Sequence, residues 1–172
     1  LDTAIEDALP QSSPILGTAA VANAKVAYAA FQSIFSGDRW DSLSAAGARV
    51  QRLLWASTGT KNPSYSPTKY IDELIGPETV NTMPPDTLEA FHSGSTIAIT
   101  LTKDVEKARS QLNDLAVAGI DLDIVTADLQ KAGIKTFTDS FTELLRSVKS
   151  KRNKLLSPVN EPSPIGPNPT DL

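Results

Sequence analysis

The chain has 172 residues, 40% hydrophobic and 21% charged, with a formal charge of −4 and no cysteine. That length is one domain's worth and suffices to bury a core. The mild acidity argues against nucleic acid, whose phosphates call for a basic stripe. The lack of cysteine removes disulfides, thiol catalysis and Cys-type zinc sites together, and fits a reducing cytoplasm.

In chain order, residues 1–10 read as one or two acidic helical turns, and Asp2, Glu6 and Asp7 stand where a secretory leader would be basic. The first residue is Leu rather than Met, so a segment upstream is expected. The clearest helix is 17–36, where Val21, Ala24, Tyr28, Phe31 and Phe35 fall at three- and four-residue steps and form one apolar stripe. Tyr28 and Phe31 are read as core. Asp38 is placed to cap a short helix that runs through Trp40 and Leu43 and is closed by Gly47. An apolar run over 53–56 predicts a strand and stops at the small polar loop 57–62.

Ser66 then offers a cap and Pro67 a first helical position, with Tyr70, Ile71 and Leu74 on one face and Gly76-Pro77 as the stop. A second extended piece over 79–83 follows. Strand, loop, helix, strand is the grammar of a parallel α/β protein, in which chemistry sits where strands end. Pro84-Pro85-Asp86 opens another helix with Leu88 and Phe91 facing inward, and the lone His92 at its end is assigned no chemistry. Residues 95–101 lean towards extended structure. Helices are predicted over 103–118, with Gly119 as the stop, over 121–131, ended by Gly133, and over 136–154. The last is expected to pack through Phe137, Phe141, Leu144, Leu145 and Val148, with Thr136 and Asp139 as a capping box. From 155 onward five prolines make a linker-like tail. No run approaches the roughly 20 apolar residues of a membrane span.

The loop Ser57-Thr58-Gly59-Thr60-Lys61-Asn62 offers hydroxyls, backbone amides around a glycine, and an ammonium group. Such a set can hold an oxyanion, above all a phosphate monoester. The Walker spacing is missing. The pattern alone favours a polar turn with an exposed lysine and leaves the phosphate reading open beside it. Carboxylates at Asp72, Glu73, Glu106, Asp121 and Asp123 read as solvated helix faces. One histidine without cysteine supplies no metal site, and no G-x-S-x-G elbow accompanies His92.

The wording of the chain resembles a known family. W-A-S-T-G-T-K-N-P over 55–63, Y-I-D-E-L-I-G over 70–76 and T-V-N-T-M-P over 79–84 resemble the long bacterial transaldolases. So do A-V-A-N-A-K-V-A-Y over 20–28, G-D-R-W over 37–40 and the closing region to about residue 151. The resemblance implies an α/β fold: the C-terminal part of a (β/α)₈ TIM barrel, mostly helical with two parallel strands, over 1–154, followed by a Pro-rich disordered tail or linker over 155–172. It implies a cytoplasmic transferase of the pentose phosphate pathway that moves a dihydroxyacetone unit from sedoheptulose 7-phosphate to glyceraldehyde 3-phosphate. A lysine Schiff base carries that reaction without cofactor or metal.

In the family the loop after the seventh strand helps bind the substrate phosphate. Ser57 and Lys61 are the matching positions, Lys61 standing where relatives often have arginine. The Schiff-base lysine, the acid–base carboxylates and a second phosphate-binding arginine lie on earlier strands, so no catalytic residue is assigned here. The incomplete barrel is expected to be inactive alone, and to oligomerise or pair with the missing N-terminal portion. Two alternatives remain: a non-catalytic module pairing with a complete transaldolase, or the transaldolase part of a fusion with phosphoglucose isomerase. Activity restored by an N-terminal fragment would separate the first from the leading reading.

Overall fold

The computed structural model describes residues 1–10 and 12–156. It divides into two compact units, Leu1–Thr126 and Ala127–Leu172. The first unit is built around α2 (Ala19–Ile34), preceded by the short α1 (Asp2–Glu6). The stripe read from the sequence is the buried face of α2: Val21, Ala24, Tyr28 and Phe31 pack with Leu74 and Leu101, and Phe35 lies against them. Three rings run along this face, Tyr28 on Phe31 with centroids 5.7 Å apart and Phe31 on Phe35 at 5.1 Å, inside the range where aromatic pairs attract beyond simple burial. The Tyr28 hydroxyl escapes the core by donating to the Pro77 carbonyl (3.1 Å).

A second cluster joins the start of α2 to α1 and α6 (Val105–Val117), through Ile5, Ala19 and Leu115. Ala19 and Ala22 are almost wholly buried, and their lack of bulk lets α2 lie close to α6. Between α2 and the strand, α3 spans Gly37–Ala45. Its cap position is Ser36 and not Asp38, which falls in the first turn; neither side chain makes a cap bond, and Gly37 turns the chain into the helix at a left-handed φ of +77°. The closings by Gly47 and Gly119 are as read: both residues adopt positive φ. At α6 the Gly119 N–H donates to Ala116 and the Ile120 N–H to Leu115, satisfying end carbonyls that would otherwise lack donors.

Strands β1 (Leu53–Trp55) and β2 (Thr79–Asn81) pair in parallel, Leu53 opposite Thr79 and Trp55 opposite Asn81. The connection between them holds α4 (Lys69–Asp72), shorter than the sequence suggests. The chain turns at Ser66 before the helix proper: Ser66 Oγ accepts from the Thr68 N–H, and Thr68 takes the cap position. Residues 95–101 form no strand. They lie across the end of α4, where the Thr100 and Leu101 amides both donate to the Ile75 carbonyl and the Thr100 hydroxyl donates to Asp72 (2.6 Å). Leu101 is fully buried there, in contact distance of the place where a Cβ on Gly76 would stand. Helix α5 (Pro85–Gly94) turns Thr87 inward and leaves Leu88 half exposed, against expectation, while Phe91 is partly buried.

Helix α7 runs unbroken over Leu122–Leu156, and its residues from Ala127 onward form the described part of the second unit. Gly133 does not end it, and Thr136 is no cap: its hydroxyl donates back to the Ala132 carbonyl within the helix. Asp139 is engaged with Lys135 one turn earlier. The true start is fixed by Asp121, whose Oδ1 accepts from the Asp123 and Ile124 amides. Phe137, Phe141, Leu144, Leu145 and Val148 are each more than half exposed rather than packed. The expected tail falls on 157–172, which lie outside the described residues.

Candidate functional site

A cavity of about 430 Å³ opens at the end of β1 in the first unit. Its walls come from α1, α2, the strand end and the loop 57–62, and both Ser57 and Lys61 line it. The structure therefore brings together the two residues singled out from sequence. β1 hands the chain to this loop through backbone pairing that outlasts the strand: the Thr82 N–H donates to Trp55 (2.9 Å) and the Thr58 N–H to Thr82 (3.1 Å). Ser57 takes a left-handed φ of +55°, rare for a residue with a Cβ, and its N–H donates to Thr82 Oγ1. Thr58 is buried, with its hydroxyl 2.7 Å from Asn81 Oδ1. Gly59 comes so near Pro84 that a Cβ would lie 2.9 Å from its ring.

Beyond this anchored start the loop's donors are unspent. The amides of Gly59, Thr60, Lys61 and Asn62 find no acceptor among the described residues, and the exposed Lys61 ammonium has no ion-pair partner there. The Thr60 hydroxyl is used, donating to the Ser66 carbonyl (2.9 Å). The far end of the loop is tied to α1. Asn62 Nδ2 donates to Glu6 Oε2 (3.3 Å), Tyr65 donates its hydroxyl proton to Glu6 Oε1, and Asn62 Oδ1 accepts from the Ser64 amide.

Asp2, one turn before Glu6, is buried and likewise fully occupied. Its Oδ1 accepts from the Ala20 N–H (2.8 Å) and its Oδ2 from the Tyr70 hydroxyl (2.7 Å). The hydrogen bond to Glu6 pushes the Tyr65 hydroxyl up to about 12, with burial and the Glu6 and Asp2 charges adding to it. Burial first, then the bond to Asp2, raises Tyr70 further. Lys69 lies 3.8 Å from the Tyr65 ring centre, a cation–π contact over the same cluster. So the cavity has a donor-rich rim and an acidic wall whose four oxygens are already spoken for.

Sequence reasoning missed this wall. Asp2 and Glu6 read only as part of a short acidic helical piece, Tyr70 as sharing a helix face with Ile71 and Leu74, and Tyr65 not at all. The available signal was the four-residue spacing of Asp2 and Glu6, which puts both carboxylates on one helix face.

The chain matches the family model described as Transaldolase/Fructose-6-phosphate aldolase over residues 1–148. It is 45% identical over 147 residues to Transaldolase 2 of a Nostoc species, covering 84% of this chain and 38% of that protein. It is 42% identical over 155 residues to a transaldolase of Saccharopolyspora erythraea (88% and 42%) and 47% identical over 137 residues to one of Mycolicibacterium paratuberculosis (78% and 37%). The chain belongs to the transaldolase/fructose-6-phosphate aldolase family. Membership implies a TIM-barrel architecture, which the parallel pairing of β1 and β2 fits. The chain spans about two-fifths of the length of the curated relatives it matches. Among the described residues no helix is long and apolar enough to cross a membrane.

Proposed function

We propose that this stretch carries the phosphate-holding end of a transaldolase-type barrel over residues 1–154, followed by a Pro-rich linker or tail. β1 and β2 stand as its last two strands, and the cavity at the end of β1 receives the phosphate of a sugar phosphate. Lys61 supplies the opposite charge, Ser57 a hydroxyl donor, and the amides of 59–62 further donors. The single observation that carries the reading is that these donors lack acceptors among the described residues while the carboxylate oxygens of Asp2 and Glu6 and the hydroxyls of Tyr65 and Tyr70 are engaged. An unspent row of N–H groups next to a lysine is what a phosphate dianion asks for.

In the reaction of the whole barrel, a dihydroxyacetone unit passes from sedoheptulose 7-phosphate to glyceraldehyde 3-phosphate through a Schiff base. Holding the phosphate fixes a remote part of the substrate, and that binding energy orients the reacting carbonyl. The amine and the acid–base carboxylates belong to barrel strands not among these 172 residues, and the remaining portion of the barrel is the partner that completes the site. Of the lysines here, Lys25 is buried but paired with Glu73 at 3.5 Å, and Lys61 sits in the loop beyond the strand. The stretch is thus a cytoplasmic transferase component, inactive alone, that needs no cofactor and is free to self-associate.

Titration of the isotopically labelled chain with inorganic phosphate, followed by the amide resonances of 59–62, tests the grip. These resonances are expected to shift saturably, and Lys61→Ala to weaken binding about tenfold, the effect of losing one charged hydrogen bond of about 1.5 kcal/mol. Unmoved resonances, or equal affinity in Lys61→Ala, contradict it.

A further inference from the structure

A carboxylate beside a phosphate site is an electrostatic liability. Glu6 lines the same cavity as Lys61 and would repel an incoming anion. What it does there is visible in its bonds. Its two oxygens are divided between two residues of one loop, Asn62 through Nδ2 at 3.3 Å and Tyr65 through its hydroxyl. Both contacts span more than fifty residues of sequence, so they are tertiary links between α1 and the loop and not part of a local turn.

We propose that Glu6 is a positioning residue for the phosphate loop: it fixes the far end of the loop at Asn62 and Tyr65, and through Asn62 sets where Lys61 stands. This rests on the reading of 57–62 as that loop. The mechanics follow from which parts are held. The near end is fastened by Ser57 and Thr58 to Thr82, just past β2, and by the Thr58 hydroxyl to Asn81 within it. Nothing among the described residues accepts the amides from 59 to 62, and the middle is tied only to its own connection, by the Thr60 hydroxyl on the Ser66 and Pro67 carbonyls. Glu6 provides the second anchor.

Its own helix is secured independently, because Asp2 binds both the Ala20 amide at the head of α2 and the Tyr70 hydroxyl. Asn62 has one workable orientation: Oδ1 is committed to the Ser64 amide, which leaves Nδ2 to face Glu6. A glutamate meets both donors at once with acceptors only, whereas an amide can accept from one of them alone and must turn its own donor towards the other. Tyr65 is held from its other side by the Lys69 ammonium over its ring, so the anchor is a stacked group and not a lone hydroxyl.

The test is a double-mutant cycle on the full 172-residue chain, reading the inorganic phosphate dissociation constant and the melting temperature. If Glu6 acts only through its charge, Glu6→Ala removes repulsion and phosphate binds more tightly. If it positions the loop, Glu6→Ala weakens binding about fivefold, and the loss shrinks below twofold once Lys61→Ala is present. Tyr65→Phe keeps the ring and removes one arm of the clamp, and is expected to weaken binding about threefold with the fold intact; it stands in should Glu6→Ala not fold. Tighter or unchanged binding in either variant, or a loss of the same size without Lys61, overturns the positioning role. Unchanged affinity in Lys61→Ala alone overturns the phosphate reading itself, which separates the two failures.

Discussion

At the scale of residues, the cavity is held by carboxylate–phenol pairs whose strength depends on each tyrosine keeping its proton. Tyr65 is pushed up to about 12 by its bond to Glu6, and Tyr70 is raised by burial and Asp2. The sign is fixed by linkage. An unfolded tyrosine ionises near its ordinary value of about 10, so above that the unfolded chain binds fewer protons than the folded one and stability falls with pH. The contribution is complete below about pH 10 and is lost as pH rises through 12. The melting temperature is expected to drop over this window, and Tyr65→Phe to flatten the drop while lowering the neutral-pH value. An identical alkaline profile in Tyr65→Phe contradicts this.

The residue types at 57–62 could be read as donors from the sequence because their chemistry is local. Their partners could not, since Glu6 and Asp2 meet Tyr65, Asn62 and Tyr70 across 56 to 68 residues. Two buried atoms, Trp55 Nε1 and Asp72 Oδ1, have no hydrogen-bond partner among the described residues.

At the scale of elements, local signals were legible and faces were not. The stops at Gly47 and Gly119 are written in glycine identity, because a left-handed turn at a helix end excludes most side chains. The stripe of α2 was legible because a long period leaves one answer. Leu88 illustrates the reverse. The ten-residue α5 carries too few apolar positions to define a face, and the approach of the 57–62 loop at Gly59 decides that Thr87 turns inward.

Gly133 reads as a stop but lies inside α7, where neighbouring helix formers and the pairs Lys131–Asp128 and Lys135–Asp139 carry the helix through. A mid-helix glycine weakens a helix by about 1 kcal/mol relative to alanine. Gly133→Ala is therefore expected to raise helical content and shift the denaturation midpoint upward, by up to about 1 kcal/mol in stability. A helix that ended at Gly133 would need its backbone freedom, and a loss of stability on substitution would show it.

At the scale of the molecule, the parallel pair of β1 and β2 fits the barrel architecture that family membership implies. Family membership covers 1–148, and these residues account for about two-fifths of the relatives' length. Two parallel strands form an open sheet, and half of Leu54 on β1 remains exposed. The proposed phosphate grip rests on the residues that line the cavity, Ser57 and Lys61 among them.

The most direct measurement mixes the purified chain with fructose 6-phosphate and sodium borohydride and weighs the product by mass spectrometry. A Schiff base would be reduced to a permanent adduct on lysine. The chain is expected to keep its mass while the amides of 59–62 still respond to the sugar phosphate; a lysine carrying the reduced sugar would contradict the account.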